Sequence, residues 1–343
     1  MPEKTSSPEG APKVTPERLY QFAWGFAAPL IIEAAIRNGF FDALAQGPLS
    51  LEDLASKTGS SARGVRAAMD ALVGLNLAVR DSEGRYALTD ESNAFLVSSR
   101  PGYLGGFFRH MSQDLIPAWL SVTDCVRTGE PVQQVDGQKR GAEFFRDFVE
   151  GIFPMSYPAA SALAKALAFP QSARPRLLDI AAGSGVWGIA FAQTYPKAQV
   201  WAVDWDIVVP VTRRVAERNG VAERFEFIPG DILEANFGDD FDLATLGHIL
   251  HSEGEERSRE LLSRVFDALK PGGTIAIAEF LVNDDHNGPA IPLIFSVNML
   301  VNTKSGRAFS FAEIASWLRS TGFTDIRTLE APGPSPLILA TKP

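Results

Sequence analysis

The stretch that decides the fold is LLDIAAGSGVWGIA, residues 177–190. An apolar run ends near Asp179 and leads into Gly183, Gly185 and Gly188, the Gly-x-Gly-x-x-Gly spacing of a strand-to-helix loop. Such glycines let a ligand approach the backbone at a helix N-terminus. A carboxylate at the strand end would repel a pyrophosphate. The stretch therefore indicates a phosphate-free ligand that carries positive charge or hydroxyl groups, and it places Asp179 beside that ligand.

The segments around this loop alternate between short apolar strands and helices. The predicted strands are RLLDIA, QVWAVDW, RFEFIPGD, FDLATLGH and GGTIAIAEF, and the predicted helices cover 186–195, 208–219 and 255–269. Alternation of this kind, with nearly continuous apolar strands, predicts an α/β fold with a Rossmann-like, doubly wound sheet. The chain ends in FTDIRTLEAPGPSPLILATKP, two strands around a Pro/Gly turn, so at least one antiparallel strand closes the sheet.

Acidic residues also end the next two strands of the series. Asp204 follows the second strand, at the position suited to ribose hydroxyls, and Trp205 offers an aromatic face to adenine. Asp231 ends the third strand, where it could accept a hydrogen bond from an adenine amino group. Three acids at successive strand ends, with no basic residue in the loop, describe a nucleoside without phosphates. S-adenosylmethionine fits this description.

The remainder of the chain is predicted to be largely helical. Residues 1–15 form a polar, disordered tail. Residues 16–101 read as helices followed by a short hairpin in LAVRDSEGRYALT, the order of a winged helix, with Ser50 as one helix N-cap and Ser61 or a neighbour as another. Residues 102–170 form a helical linker that contributes to an acceptor pocket. Residues 171–343 make the S-adenosylmethionine-binding catalytic domain.

Composition narrows the possible partners. The 343 residues carry a net charge of -9, which argues against nucleic acid or an anionic membrane as the main partner. Cys125 is the single cysteine, so neither an internal disulfide nor a cysteine-based zinc site can form. The first residues lack the apolar segment of a signal peptide, and no apolar run is expected to reach membrane-spanning length. We expect a cytoplasmic protein.

The chain resembles the class I S-adenosylmethionine-dependent methyltransferases, and within them the winged-helix O-methyltransferases of hydroxyindole, caffeate and polyketide-tailoring type. The resemblance is carried by LLDIAAGSG, AVDW, PGDIL, HILH, LKPGGTIAIAEF and SGRAFSFAEIASWLRSTGF. It implies a homodimer joined through the N-terminal helices, with S-adenosylhomocysteine as a product. It also implies that Ala181, in place of the first motif glycine, contacts the cofactor together with Ile232 and His248.

Two histidines follow the fourth predicted strand. His248 and His251 are three residues apart, so one helical turn would place both on the same face. The resemblance implies that His251 is the general base that deprotonates the acceptor hydroxyl, and that Glu279 orients it. Imidazole titrates near neutral pH and suits this role. The chain departs from the family pattern at three places: Ser252-Glu253 follows the base, Gly247 stands where lysine is common, and Ala308 stands where a second acid is expected.

An apolar acceptor with a few polar contacts is predicted from two segments, GIFPMSY and IFSVNMLVN. Their candidate pocket residues are Phe153, Met155, Phe295, Asn298, Met299 and Asn302. The absence of an Arg/Lys cluster here argues against a phosphorylated acceptor. The predicted acceptor is therefore an aromatic or polyketide-like small molecule.

Several alternatives remain open from the residues alone. The same fold could methylate carbon, or use the charged cofactor for rearrangement, decarboxylation or hydroxylation without methyl transfer. His251 could merely hydrogen-bond the acceptor while proximity drives the reaction. The winged helix could bind DNA through Arg63 and Arg66. A metal site could combine the two histidines with Asp284, Asp285 and His286, but the spacing is not that of a zinc motif and none is expected.

Overall fold

The computed structural model describes residues 14–132, 148–170 and 173–343. The chain divides into two compact units between Asn93 and Ala94. Most of the predicted disordered tail, residues 1–13, lies outside the described residues, as do 133–147 of the predicted linker. The predicted domain boundaries at 101 and 170 stay predictions.

The first unit consists of helices and one hairpin. Its helices are α1 Glu17–Ala23, α2 Ala27–Arg37, α3 Phe40–Leu44, α4 Leu51–Thr58, α5 Ala62–Gly74 and α6 Asp90–Phe95, the last of which crosses the unit boundary. Strands β1 Ala78–Arg80 and β2 Tyr86–Leu88 pair antiparallel, as predicted. The hydroxyls of Ser50 and Ser61 accept hydrogen bonds from the amides of Asp53 and Gly64, which confirms both predicted N-caps.

Helix α1 exposes an unusual amount of apolar surface. Its side chains and those of the turn after it are more than half exposed, among them Leu19, Tyr20, Phe22, Trp24 and Phe26. Residues 17–37 are long and apolar enough to cross a membrane by length and composition, so the expectation that no run reaches this length was wrong. The chain turns at 24–26, between α1 and α2, and the core helix of a soluble protein or a signal sequence passes the same test of length and composition.

The second unit begins with a helical segment and continues into the α/β sheet. The helical segment contains α7 Gly105–His110, a π-helical turn Met111–Leu115, α8 Ile116–Trp119, α9 Val122–Thr128 and α10 Phe153–Ala166. The later helices are α11 Val186–Thr194, α12 Val209–Arg218, α13 Leu250–Ala268, α14 Ala290–Asn302 and α15 Phe311–Thr321. A 3₁₀ turn covers Ala222–Arg224.

The sheet has seven strands in the order β5-β4-β3-β6-β7-β9-β8. They are β3 Arg176–Ile180, β4 Gln199–Asp204, β5 Phe225–Pro229, β6 Phe241–Gly247, β7 Leu269–Ala278, β8 Thr324–Leu329 and β9 Leu337–Thr341. Strands β3 to β7 are parallel, and β9 runs antiparallel to both β7 and β8. The predicted fold class and its closing hairpin are confirmed.

Both faces of the sheet are buried over its central strands, which explains why strands such as β3, β6 and β9 are mostly apolar. Leu177 packs into the cluster on the side of α11 and α12, whereas its neighbour Leu178 packs into the cluster on the side of α13 and α15. The strand order reverses between β3 and β6. In doubly wound sheets the ligand crevice opens at this reversal, at the carboxyl ends of the strands.

Helix α13 begins earlier than the sequence indicated. We predicted its start near 255, but it begins at Leu250 and contains a break at Gly254, whose φ of 75° and ψ of 176° are not helical. An added Cβ at Gly254 would lie 2.5 Å from the hydroxyl oxygen of Ser305. Glycine therefore permits both the turn and the close contact with 303–306. The consequence is that His251 lies within the first turn of the helix.

Candidate active site

The glycine loop joins β3 to α11 at the edge of the crevice. Ala181, Gly183 and Gly185 all have positive φ, and Gly185 caps the N-terminus of α11. An added Cβ at Gly183 would touch Val149, and one at Gly185 would lie 3.0 Å from Thr212. These residues form a tight turn whose amide groups lie at a helix N-terminus. Gly188 differs, because its Cβ would lie 2.7 Å from a methyl carbon of Val200, so this third glycine serves helix-to-strand packing.

Asp179 lies beneath the loop. Its carboxylate is fully buried: one oxygen accepts a hydrogen bond of 2.9 Å from the amide of Gly188, and the other accepts one of 2.7 Å from the Thr245 hydroxyl. Burial raises the pKa of Asp179 to about 7, and the nearby Asp204 carboxylate adds to the rise. Through its two oxygens Asp179 holds helix α11 to strand β6. Its predicted contact with the ligand stays a prediction.

Asp204 lies at the carboxyl end of β4, beside the loop. One oxygen accepts a 2.7 Å hydrogen bond from the amide of Gly183, and the other accepts a 2.8 Å bond from the amide of Trp205. Burial raises the pKa of Asp204 to about 6, although the two amides favour the ionised form. Trp205 is partly buried and packs against the cluster on the α11 side of the sheet. The acid and the loop are thus joined directly.

The third acid, Asp231, is held by a charged neighbour that the sequence analysis did not single out. Its carboxylate lies 3.3 Å from the guanidinium of Arg257, which also pairs with buried Glu253. It further accepts a 2.8 Å bond from the amide of Leu233. Ile232 is buried in the cluster on the α13 side. Glu253 stands at a position where the chain departs from the family pattern. Through Arg257 it links Asp231 to the helix that carries His251.

The two predicted catalytic residues meet in a buried pair. Nδ1 of His251 lies 2.7 Å from Oε2 of Glu279, and the His251 amide donates a 3.2 Å bond to Oε1. Burial acts to raise the pKa of Glu279, but the His251 ring and its hydrogen bonds outweigh it and hold the pKa below the usual value. Glu279 is thus ionised at neutral pH. Helix α13 and strand β7 bring the two residues together.

His248 is the third member of this cluster. It follows β6 with a φ of 63°, and its amide donates to the carbonyl of Ala278. Its Nδ1 is buried without a hydrogen-bond partner. Burial lowers the pKa of His248 to about 4, only partly opposed by Glu279, so its ring is neutral. A neutral ring beside His251, with an unpartnered buried Nδ1, is a candidate for contact with a ligand.

Aromatic side chains surround His251. The Phe295 ring meets the imidazole edge-on, with centroids 4.8 Å apart and an interplanar angle of 88°. Phe280 stacks on Phe295 at 4.3 Å and also contacts His248 at 5.2 Å. Phe295 was predicted as a pocket residue. Phe280 was missed, although it directly follows Glu279 in the strand segment AIAEF.

Helix α14 carries most of the other predicted pocket residues. Asn298 accepts a 2.8 Å bond from the Trp119 indole, and Oδ1 of Asn302 is buried without a partner. Met299 is buried. The two pocket residues predicted on α10 lie differently: Phe153 stacks on Tyr157, and Met155 is 44% exposed.

One group among the described residues could offer three ligands to a metal ion. It consists of His248, His251 and Glu279, whose ligand atoms lie within 4.8 Å of one another. The loop residues considered in the sequence analysis are engaged elsewhere: Asp284 accepts from the amide of Ala312, Asp285 bonds Asn287, and His286 lies 3.9 Å from Glu313.

Comparisons with known proteins identify the family. Residues 130–324 match the O-methyltransferase domain, and residues 20–98 match the O-methyltransferase dimerisation domain. The chain is 29% identical to the tetracenomycin polyketide synthesis 8-O-methyl transferase of Streptomyces glaucescens, over 96% of this chain and 97% of that protein. It is 30% identical to the 3-hydroxy-5-methyl-1-naphthoate 3-O-methyltransferase of Streptomyces sahachiroi, over 95% of each.

A solved structure shows the same fold with the cofactor. The crystal structure of human N-acetylserotonin methyltransferase in complex with S-adenosylmethionine matches with a TM-score of 0.83 and 25% identity, over 97% of this chain and 99% of that one. The chain belongs to the O-methyltransferase family and is an S-adenosylmethionine-dependent O-methyltransferase. The match at 20–98 is to a dimerisation domain, which favours that role over DNA binding.

The residues of the crevice fit this cofactor. The loop presents amides at a helix N-terminus, and an added Cβ at Gly183 or Gly185 would crowd the turn. Asp204 lies at the position suited to ribose hydroxyls, and Nδ1 of His248 is a buried polar atom without a partner. The crevice offers carboxylates and neutral donors, which suits a cationic nucleoside.

Proposed function

We propose that this enzyme methylates a hydroxyl group of an apolar aromatic small molecule, with His251 as the general base. The observation that carries the proposal is the buried His251–Glu279 pair, with Nδ1 and Oε2 2.7 Å apart, enclosed by Phe280 and Phe295. A base that is oriented by an ionised acid and bordered by aromatic rings suits the deprotonation of a phenol-like hydroxyl.

The cofactor supplies an electrophilic methyl group on its sulfonium. Ionised Glu279 accepts the hydrogen bond from Nδ1–H of His251, so the neutral ring carries its lone pair on Nε2. Nε2 is then the atom that takes the acceptor's proton. Glu279 stabilises the imidazolium that forms, because it is a buried negative charge at hydrogen-bond distance. His248, neutral with a pKa of about 4, adds no competing positive charge.

For cofactor binding we propose roles for the strand ends and the loop. Asp204 accepts hydrogen bonds from the ribose hydroxyls, Trp205 and Asp231 face the adenine, and the backbone of Ala181, Gly183 and Gly185 lines the path of the ligand. Asp179 holds the loop from beneath through Gly188 and Thr245, beside the cofactor. Ile232 supports the Asp231 turn from the core, and His248 borders the reacting centre.

For the acceptor we propose a hydroxylated aromatic or polyketide-like molecule. The stacked rings of Phe280 and Phe295 offer a flat apolar wall beside the base, where an aromatic acceptor can pack. Asn298, which accepts from the Trp119 indole, and the unpartnered Oδ1 of Asn302 offer polar atoms on α14, the helix that also carries Phe295 and Met299. The two relatives from Streptomyces are named for methylation of a polyketide and of a naphthoate, which is consistent with such an acceptor.

The first unit is proposed to join two copies of the chain into a homodimer. Apolar residues of α1 such as Phe22 and Trp24 are largely exposed in the single chain, and this region falls in the dimerisation match. Burial of such surface is the main source of stability for obligate dimers. Sedimentation of the whole chain tests this directly, with a monomer as the contradicting result. Cytoplasmic location stays a prediction.

The function is tested with a labelled methyl donor and a panel of acceptors. The panel contains naphthols, hydroxylated polycyclic aromatics, single-ring phenols, hydroxyindoles and aliphatic alcohols. We expect transfer to the polycyclic hydroxyls and one S-adenosylhomocysteine released for each methyl ether formed. Product formed without S-adenosylhomocysteine, or a carbon-methylated product, would contradict the proposal. We also expect turnover to survive exhaustive treatment with a metal chelator. Loss of turnover under this treatment would instead indicate a metal-dependent reaction at His248, His251 and Glu279.

A further inference from the structure

A short segment of the helical region lies directly against the glycine loop. Residues 148–152, the cover segment, immediately precede α10. Val149 in this segment is buried, and a Cβ added at Gly183 would lie 3.3 Å from its Cγ1 atom. The turn that is proposed to line the path of the cofactor is therefore bordered by a side chain that comes from outside the sheet.

The cover segment is also packed closely on α7. A Cβ added at Gly106 would lie 2.5 Å from the Cα of Gly151, and one added at Gly151 would lie 3.0 Å from the Cα of Gly106. Two backbones that approach this closely leave no space for a side chain between them. Gly106 and Gly151 thus bring the segment against α7 on the page of contacts that also places Val149 at the loop.

A charged side chain joins the cover segment to α12. Oε2 of Glu150 accepts a 2.7 Å hydrogen bond from Arg214, and Oε1 accepts one of 2.6 Å from Arg218. The two arginines are four residues apart, so they lie on the same face of the helix. Burial acts to raise the pKa of Glu150, but the hydrogen bonds from the two guanidinium groups outweigh it and hold the pKa below its usual value. Each oxygen of an ionised carboxylate therefore has its own charged donor.

Helix α12 holds the glycine loop as well. The buried Thr212 hydroxyl donates a 2.7 Å hydrogen bond to the carbonyl of Gly183, and a Cβ added at Gly185 would lie 3.0 Å from the Thr212 methyl group. Gly183 is therefore in contact with α12 through Thr212 and with the cover segment through Val149. The same helix thus fixes the loop directly and fixes the segment beside the loop through its two arginines.

We propose that Glu150 is a positioning residue that holds the cover segment against the glycine loop and thereby slows the release of the bound cofactor. The inference rests on the proposed cofactor role of Gly183 and Gly185. A ligand that lies on this loop is bordered by the cover segment, so a segment that separates from the loop opens a path to solvent. Segments of this kind commonly set the rate at which a ligand leaves, whereas the association rate changes less.

The test measures how fast labelled S-adenosylhomocysteine leaves the whole chain after excess unlabelled ligand is added. For Glu150→Gln we expect dissociation to be about fivefold faster, the upper range for a partly exposed ion pair, and association to stay within about twofold of wild type. Glu255→Gln is the matched control, because it removes the exposed ion pair with Arg259 on α13 and should leave both rates unchanged. Dissociation from Glu150→Gln at the wild-type rate would overturn the inference.

A double-mutant cycle separates this role from a general loss of stability. In a chain that carries Arg214→Gln and Arg218→Gln, addition of Glu150→Gln should not accelerate release any further, since the three side chains act as one contact. An additional acceleration equal to that seen in wild type would show that Glu150 acts without the arginines, and would contradict the inference.

A further measurement uses the unaltered chain and does not depend on the folding of a variant. Salt screens partly exposed ion pairs, so release from wild type should become faster as ionic strength rises, whereas release from Glu150→Gln should respond little. The same salt response in both chains contradicts the inference. If wild type does not bind S-adenosylhomocysteine, the proposed cofactor site itself fails, whereas binding with an unchanged release rate in Glu150→Gln removes only the role of Glu150.

Discussion

Nδ1 of His251 lies 2.7 Å from Oε2 of Glu279, and both side chains are buried. His251 lies in the first turn of α13, and Glu279 follows the end of β7. Strand β6, which lies next to β7 and parallel to it, leads into α13. Because the acid also accepts from the His251 amide, it fixes both the ring and the start of the helix. The proposed base is therefore held in one orientation before an acceptor arrives.

Removal of the imidazole should abolish most of the chemistry and leave the cofactor in place. For His251→Ala we expect turnover to fall about 100-fold or more, the typical contribution of a general base. Initial rates with the best acceptor and calorimetry with S-adenosylhomocysteine are the two measurements. His286→Ala, in an exposed loop, is the matched control and should keep wild-type turnover. A His251→Ala turnover within a few-fold of wild type would reduce His251 to a hydrogen-bonding role.

The acid partner should matter only through the base. For Glu279→Gln we expect turnover to fall about tenfold or more, because the amide can still accept from Nδ1–H but brings no charge to stabilise the imidazolium. In the double variant with His251→Ala, the loss should equal that of His251→Ala alone, since residues that act as a unit are not additive. Additive losses measured in the same rate assay would show that Glu279 acts independently.

Cofactor affinity should depend on the ionisation of Asp204. Its pKa is raised to about 6, and only the carboxylate can accept from both the amides and the ribose hydroxyls. Binding of S-adenosylhomocysteine should therefore be constant from pH 8 to about 7 and weaken as pH falls through 6. Asp204→Ala should weaken binding at pH 7.5 about tenfold or more. Calorimetry across this range is the measurement, with exposed Asp206→Ala as control. Unchanged affinity in Asp204→Ala would remove the ribose assignment.

Much of the sheet could be predicted from the sequence because both of its faces are buried. Strands such as Arg176–Ile180 and Phe241–Gly247 are nearly continuous apolar runs, and this signal is local. The Asp at the end of β4 and the pair of histidines after β6 were also predictable, since strand ends in a doubly wound sheet share one edge. The start of α13 was not, because its first turn is held by a hydrogen bond from the His251 amide to Glu279, which is far from it in sequence.

The direction of individual side chains was the least predictable feature. Asp179 is an example, because Thr245 on β6 donates to one of its oxygens and no local pattern reveals that partner. Trp187 reads in sequence as an ordinary apolar helix residue. Its indole packs against Gly247 at the end of β6, and no local pattern reveals that contact. Contacts between residues on different elements, which the local sequence does not show, determine the partners of such side chains.

Asp179 also gives the fold a stability that varies with pH in an unusual direction. Its pKa is about 7 in the folded protein because of burial, against about 3.9 for an unfolded aspartate. Between these values the folded state holds a proton that the unfolded state has released, so the free energy of unfolding falls as pH rises from about 4 to about 7. An acid whose pKa is lowered by folding acts in the opposite sense, because the free energy of unfolding then rises as pH rises.

The variant Asp179→Asn isolates this contribution. An asparagine can accept from the amide of Gly188 with its oxygen and donate to the Thr245 hydroxyl with its nitrogen, so both hydrogen bonds are kept without a titrating group. Urea unfolding at pH 5 and at pH 8 gives the free energies. We expect the variant to gain about 2 kcal/mol relative to wild type between these two pH values. Exposed Asp239→Asn should leave the difference unchanged. A variant that shows the same pH slope as wild type would mean that Asp179 stays ionised beneath the loop, with its charge balanced by the two hydrogen bonds alone.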